Sequence, residues 1–316
     1  MTNKFEISAL VVCYKPNLKK LIMTLKSLIY QKDVSMQIVI TDDGSEIDHF
    51  DEIKAFFAVN NFKDYVLVKN PNNVGTVKNC ISGMEKCVGK YIKGISPGDY
   101  MADEKSLRNW LDYMKLQNLS VCGSDYYCYH FNDEGKVEYT KALLHPRITG
   151  LNGFKLRFDY LINNDLFLGA AILCERELFL KYLRLIENKV VYAEDNTYRM
   201  MAYCGEKMGF FNQKAIFYEV GTGISTSNDN NWIKLIRKDW NTTDNIMLNM
   251  PTKDLKLKEI FNKFNMLNNI WGGYKYLSYL KYRDLVLLKL RAKIRPRISS
   301  RKFPIDWIKK IGGDVA

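Results

Sequence analysis

Along the first hundred residues, short unbroken apolar runs alternate with stretches whose apolar positions fall three and four apart. Residues 7–12 form such a run, as expected of a strand covered on both faces. Pro16 and Asn17 end it, and Leu18, Leu21, Ile22, Leu25, Leu28 and Ile29 then recur at helical spacing. The pattern predicts a second buried strand over residues 37–41, ending at Asp42-Asp43-Gly44-Ser45, and a helix over 47–59. A third strand is predicted at 65–68 before Asn70-Pro71-Asn72-Asn73, a helix at 75–87, and a fourth strand at 91–95 before Ser96-Pro97-Gly98-Asp99. Strands alternating with helices through short connections predict a parallel sheet with right-handed crossovers. Such sheets bind ligands beyond the carboxyl ends of their strands, and Asp42-Asp43, Asn72-Asn73 and Asp99 all follow strand ends.

Past Asp99 the alternation loosens. Residues 121–129 and 137–144 read as a hairpin around Asn132-Asp133-Glu134-Gly135. Residues 169–174 read as a buried strand followed by a helix from Arg176. Glu194 opens a helix running to about Tyr203, with Gly205 as its cap. Residues 210–218 are strand-like, and from Asn230 the pattern is helical and rich in aromatics and lysine.

The 316 residues suit a core domain with an appendage. The formal charge of +12 calls for an anionic partner without choosing among nucleic acid, lipid and small substrates. Much of the surplus lies between Lys281 and Lys310, where Asp284 and Asp306 are the only acids. Seven cysteines without C-x-x-C spacing predict buried thiols in a reducing cytosol rather than disulfides or a zinc site. The chain opens without an apolar signal core, and no apolar run reaches the roughly 20 residues needed to cross a bilayer. A cytoplasmic protein is the expectation.

Each cluster has a structural and a chemical reading. Asp42-Asp43-Gly44-Ser45 is turn chemistry, or a carboxylate placed to accept from a ribose or a base. Asp99 is a strand-end carboxylate suited to Mg²⁺ or Mn²⁺, and Asp103 is the better helix cap. Glu194-Asp195 sits where acids favour a helix start, and one of the two could instead take a proton from an attacking hydroxyl. Adjacent helical residues point about 100° apart, so only one can face a cleft. The segment Gly221-Thr222-Gly223-Ile224-Ser225-Thr226 lacks the third glycine of a dinucleotide fingerprint. It reads as a loop over donor phosphates or as a plain connector.

Taken in order, the segments 8–16, Leu25-Lys26-Ser27-Leu28, Gln31, 37–45, Asn73-Val74-Gly75, Lys78-Asn79 and Gly89-Lys90-Tyr91-Ile92 resemble a family 2 inverting glycosyltransferase of the bacterial cell-surface polysaccharide type. Glu194-Asp195 and Gly223-Ile224-Ser225 extend the resemblance to about residue 228. It implies an α/β GT-A fold, Rossmann-like, with a mostly parallel central sheet flanked by helices and a C-terminal helical extension. It divides the chain into a catalytic domain, 1–228, and a helical basic region, 229–316. Within the former, 1–100 would bind the nucleotide sugar and 101–228 would face the acceptor.

Residue by residue, the resemblance implies Tyr14 at the base pocket, Asp42 and Asp43 on the nucleoside, and Asn73, Gly75, Lys78, Asn79 and Ser225 near the donor. Asp99 would bind Mn²⁺ or Mg²⁺. Asp195 would be the catalytic base, with Glu194 the runner-up. The donor would be a nucleoside-diphosphate sugar, a UDP-sugar foremost, and the acceptor a glycan or lipid-linked sugar. Two departures matter: Ser96 and Gly98 replace further metal-binding acids, and Arg237-Lys238-Asp239-Trp240 only faintly echoes the processive Q-x-x-R-W signature. The first leaves open a non-catalytic scaffold of the same fold, and the second argues for single-sugar addition.

In the last third, Trp271, Tyr274, Tyr276, Tyr279 and Tyr282 interleave with basic residues. That pattern suits a helix lying on an anionic inner leaflet, or a solvated face on an oligomerising helix. Nucleic acid is the least favoured partner, because the strand ends are lined with acids.

Overall fold

The computed structural model describes residues 4–140, 153–162, 167–221, 230–268 and 304–313, together with positions 283 and 287. The first half alternates β1 (Phe5–Cys13), α1 (Leu18–Ile29), β2 (Met36–Asp42), α2 (Phe50–Val59), β3 (Tyr65–Lys69), α3 (Thr76–Met84) and β4 (Gly89–Ile95). There follow β5 (Tyr100–Met101), α4 (Ser106–Leu116), β6 (Val121–Phe131), β7 (Val137–Thr140), α5 (Gly153–Ile162), a 3-10 turn (Gly169–Ala171) and β8 (Ile172–Glu175). Then come α6 (Arg176–Ile186), α7 (Asn196–Cys204), β9 (Met208–Glu219), α8 (Asn230–Leu248), α9 (Leu255–Asn268) and α10 (Ile305–Ile311).

The strands form one sheet in the order β3-β2-β1-β4-β8-β6-β9-β5, with β7 on β6. β1, β2, β3 and β4 are mutually parallel, as the alternation predicts. β6 and β9 are parallel too, while β8 runs antiparallel between β4 and β6. Every residue of β2 is buried, because helices cover both faces of the sheet. Leu21, Leu25 and Leu28 of α1 join Ile53 and Phe57 of α2 and Trp110 of α4 on one face. Val77, Ile81 and Met84 of α3 join Phe179 and Leu183 of α6 and Met201 of α7 on the other.

The structure departs from the sequence reading at three places that matter to the site. Residues 169–171 turn in 3-10 geometry, so the strand expected from 169 begins at Ile172. Glu194 and Asp195 lie ahead of their helix rather than in its first turn, and α7 starts at Asn196. The expected strand at 137–144 is seen as Val137–Thr140, and its remainder lies outside the described residues. Gly205 does cap α7, in left-handed conformation with φ of 83°.

α10 returns to the body of the protein. Trp307, Ile308 and Ile311 are buried against Met23, Tyr100 and Tyr129, and the Trp307 indole donates to the Met101 carbonyl at 2.7 Å. Among the described residues no helix is long and apolar enough to cross a membrane.

Candidate active site

β1, β2 and β4 end at one edge of the sheet, where Cys13 pairs with Asp42 and Val11 with Ile95. Asp42 is fully buried. Its Oδ1 accepts from the Ser45 N–H and its Oδ2 from the Ser45 hydroxyl, both at 2.7 Å. That hydroxyl in turn accepts the Lys15 N–H at 2.7 Å. The carboxylate read as a nucleoside contact is therefore spent on its own turn, and locks β1's exit to β2's. Asp43 works across the chain: Oδ1 accepts from Val74 N–H at 2.8 Å and Oδ2 from Gly75 N–H at 3.0 Å. Asn79, also read near the donor, is likewise committed. Its Oδ1 accepts from Thr41 Oγ1 at 2.6 Å and Asn70 Nδ2 at 2.9 Å. Its Nδ2 donates to the Cys13 and Thr41 carbonyls at 3.2 and 3.4 Å. A buried amide so fully satisfied ties three strand ends together and has nothing left for a ligand.

Gly75 has a structural reason to be glycine. Its φ is +88°, and an added Cβ would stand 2.5 Å from Val191 Cγ1 and 3.0 Å from the Val191 carbonyl oxygen. That carbonyl accepts the Val77 N–H at 3.0 Å, which seats the loop leading to Glu194-Asp195 on the start of α3. Burial holds the Cys80 thiol of α3 well above its ordinary range, and the charges of Glu194, Asp43 and Asp195 add to it. The three carboxylates thus gather around one helix. Asp195 also borders the 3-10 turn, its Cβ 3.4 Å from where a Gly169 Cβ would be.

Although Asp195 holds the N-cap position of α7, its side chain makes no capping hydrogen bond. Burial pushes its carboxyl up, with the Arg199 guanidinium resisting. Glu194 is pushed up to about 8 by burial and then by the charges of Asp195 and Asp239. An acid whose folded pKa is raised contributes stability fully present below its unfolded value and lost as pH rises through the folded one. Between pH 4.5 and about 8 the protein therefore loses stability through Glu194. Thermal melts across that range should show Glu194→Gln flattening the loss and melting higher than the wild type at pH 8.5; parallel curves would contradict this.

Asp99 is placed by its neighbours. Thr24 Oγ1 donates to its carbonyl at 3.0 Å, and the Gly98 N–H donates to the same hydroxyl oxygen at 3.2 Å. The Asp99 Oδ1 accepts the Glu219 N–H at 3.3 Å. Gly98, at φ +106°, leaves room for Glu219, whose Oε2 would lie 2.5 Å from a Cβ there. Burial pushes Asp99 up to about 7, with the Lys93 charge opposing and the Glu219 carboxylate reinforcing. Lys93 is buried within β4 and donates to the Gly94 and Ala170 carbonyls at 2.6 and 2.5 Å. Lys20 meets Glu219 Oε1 at 2.5 Å.

Sequence reading missed Glu219, Lys20 and Lys93. The one visible signal was a lysine inside the buried run of β4. Among the described residues no group of three or more His, Cys, Asp or Glu could hold a metal ion. The donor set still fits a hard cation, since carboxylate oxygen is its preferred ligand and such ions complete their shells with phosphate and water. Asp99 would be the protein ligand.

Tyr14 stands 49% exposed beyond β1, with the Lys15 ammonium 5.4 Å from its ring centroid. Asn73, just before α3, and Lys78, within it, are exposed as well. Ser225 and the C-terminal basic and aromatic stretch 269–282 lie outside the described residues.

A mixed sheet of this order, largely parallel and flanked by helices, is the GT-A arrangement that the sequence resemblance implies. Residues 8–183 match the model of the family described as Glycosyl transferase family 2, and the chain belongs to that family. Among solved structures, Staphylococcus aureus TarS superposes with a TM-score of 0.59 at 13% identity, over 83% of this chain and 43% of TarS. This chain therefore spans under half of that protein. The TarS 1-349 fragment in complex with UDP-GlcNAc gives 0.58 at 13% identity, over 97% of this chain and 81% of the fragment. The mannosyltransferase PcManGT from Pyrobaculum calidifontis, in complex with GDP-Man and Mn²⁺, gives 0.57 at 10% identity, over 94% and 77%. At such identities the likeness shows the fold. None of the curated proteins compared matches the sequence.

Proposed function

We propose that the protein transfers one sugar, with inversion, from a nucleoside-diphosphate sugar to an acceptor hydroxyl in the synthesis of a cell-surface polysaccharide or glycolipid. The supporting observation is the approach of Glu194-Asp195 to the start of α3, at the sheet edge that also carries Asp99. Asp195 takes the acceptor's proton as its oxygen attacks the anomeric carbon, and the bond from that carbon to the diphosphate breaks. A bound Mn²⁺ or Mg²⁺ would supply charge to offset the departing diphosphate, held by Asp99. Tyr14 offers a stacking face for the base, and the exposed Lys78 and Asn73 are our candidates for diphosphate contacts. Asp42, Asp43 and Asn79 act one layer behind, fixing the loops. Structures of the same fold bound to UDP-GlcNAc and to GDP-Man support a nucleotide-sugar donor, and UDP is our first choice.

Thermal shift and calorimetry with UDP-, GDP- and dTDP-sugars in Mn²⁺ test this. At least one should bind and release its nucleoside diphosphate. No binding at any metal concentration would favour a non-catalytic scaffold, which the loss of acids at Ser96 and Gly98 also fits. We further propose that residues 229–316 form a basic region following a 1–228 catalytic domain, with α8, α9 and α10 packed on that domain, and that its stretch 269–303 holds the enzyme on anionic membrane from the cytoplasmic side. Vesicles rich in anionic lipid should sediment the wild type but not a variant with that stretch replaced by a neutral linker; equal sedimentation would rule the contact out.

A further inference from the structure

Immediately before Glu194-Asp195, three successive backbone N–H groups converge on a single atom. Asp239 Oδ2 accepts from Val191 at 3.1 Å, from Tyr192 at 2.7 Å and from Ala193 at 3.2 Å. Asp239 belongs to α8 and is 4% exposed. Consecutive N–H groups form a concavity suited to an anion, and hydrogen bonds to an ionised acceptor are about twice as strong as neutral ones. α8 holds the other side of the acid pair as well. Asn196 Nδ2 donates to Thr243 Oγ1 at 3.3 Å, and the Arg199 guanidinium lies 4.7 Å over the Trp240 ring with Asp244 3.1 Å away. The Arg199 Nε and Nη1 make no hydrogen bond, so charge and stacking hold that side while Asp239 holds the other by directed bonds.

We propose that Asp239 is a positioning residue for sugar transfer: by gathering the N–H groups of residues 191–193 it fixes where Glu194 and Asp195 stand against α3. The inference rests on reading Asp195 as the base, and it brings into the site a helix beyond the family match at 8–183. Asp239 acts through charge as well as geometry. The ionisable groups around the pair are Cys80 of α3, Tyr160 of α5, Tyr198 and Arg199 of α7, and Asp239 of α8. Of these, Asp239 is the anion opposing ionisation of Glu194.

The test uses Asp239→Asn and Asp239→Ala in the full chain. The readout is nucleoside diphosphate release from UDP-GlcNAc or GDP-mannose in Mn²⁺, whichever donor turns over. Asparagine keeps an oxygen for the three N–H groups and loses the charge. We expect kcat to fall about tenfold in Asp239→Asn and about 100-fold in Asp239→Ala, the latter the scale of an ångström's misplacement, with donor KM within about threefold. Removing a negative charge eases ionisation of Glu194, so the basic limb of the kcat–pH profile, where Glu194 gives up its proton beside Asp195, should move to lower pH in Asp239→Asn.

Unchanged kcat and pH profile in Asp239→Asn would overturn the proposal. So would kcat and KM worsening together with a collapsed melting temperature, which marks a merely structural role. If Asp239→Ala does not fold, the asparagine variant decides. Asp195→Asn, run alongside, separates the two readings: if it stays active the base assignment fails, and if it is dead while the Asp239 variants match wild type, only the positioning role fails.

Discussion

Asp195→Asn should bind its nucleotide sugar with near wild-type affinity and turn it over at least about 1,000 times more slowly, within the range set by loss of a general base. The substitution is isosteric, and because the Asp195 side chain does not cap α7, it removes no helix cap. The choice of Asp195 over Glu194 is electrostatic. Both are raised by burial, but Arg199 favours the ionised form of Asp195, whereas Asp195 and Asp239 both oppose ionisation of Glu194, which sits at about 8. When two adjacent acids are driven apart in this way, one carries the charge and the other the proton. On the proposed reading the proton stays with Glu194 and Asp195 is the acceptor, since Arg199 favours the charge on Asp195. Glu194→Gln should therefore slow transfer far less, by about tenfold. Single-turnover kinetics on both variants, with donor binding by calorimetry, check the order; a Glu194→Gln variant slower than Asp195→Asn would reverse the assignment.

Asp99→Asn should raise the Mn²⁺ needed for half-maximal rate at least tenfold and lower kcat about 100-fold, the magnitude seen when one electrostatic contact to developing charge is lost. Asparagine retains an oxygen for the Glu219 N–H, and Thr24 meets residues 98 and 99 through their backbone, not through the Asp99 carboxylate. The loop should keep its shape, so the effect reports on charge. Chelation with EDTA should stop the wild type, and added Mn²⁺ should restore it. An Asp99→Asn enzyme with an unaltered Mn²⁺ titration would move the metal elsewhere.

Much of this arrangement is legible in the chain, because local rules govern it. The parallel half of the sheet follows from apolar runs alternating with helical spacing, and α1 falls on the residues whose periodicity announces it. Strand-end polar clusters mark the carboxyl edge of the sheet. What sequence does not disclose is how each acid is spent. Asp42 and Ser45 stand three apart and can close a turn, yet Asp42 could equally have faced outward; only burial decides. Glu219 reaches Asp99 across 120 residues and Lys20 across 199, pairings fixed by sheet order and invisible to any window. The strand expected from 169 fails at Gly169-Ala170-Ala171, where small side chains let the backbone coil tightly beside Asp195.

The seating of Trp307 beneath the indole-accepting carbonyl of Met101 carries a practical consequence. Cutting the polypeptide just after 268 removes the positive stretch and, with it, a plug whose hydrogen-bond partner Met101 lies two residues from Asp99 along β5. A shortened enzyme that loses both vesicle attachment and turnover would therefore mix two injuries, and only excision with rejoining, leaving 304–313 in place, can tell them apart.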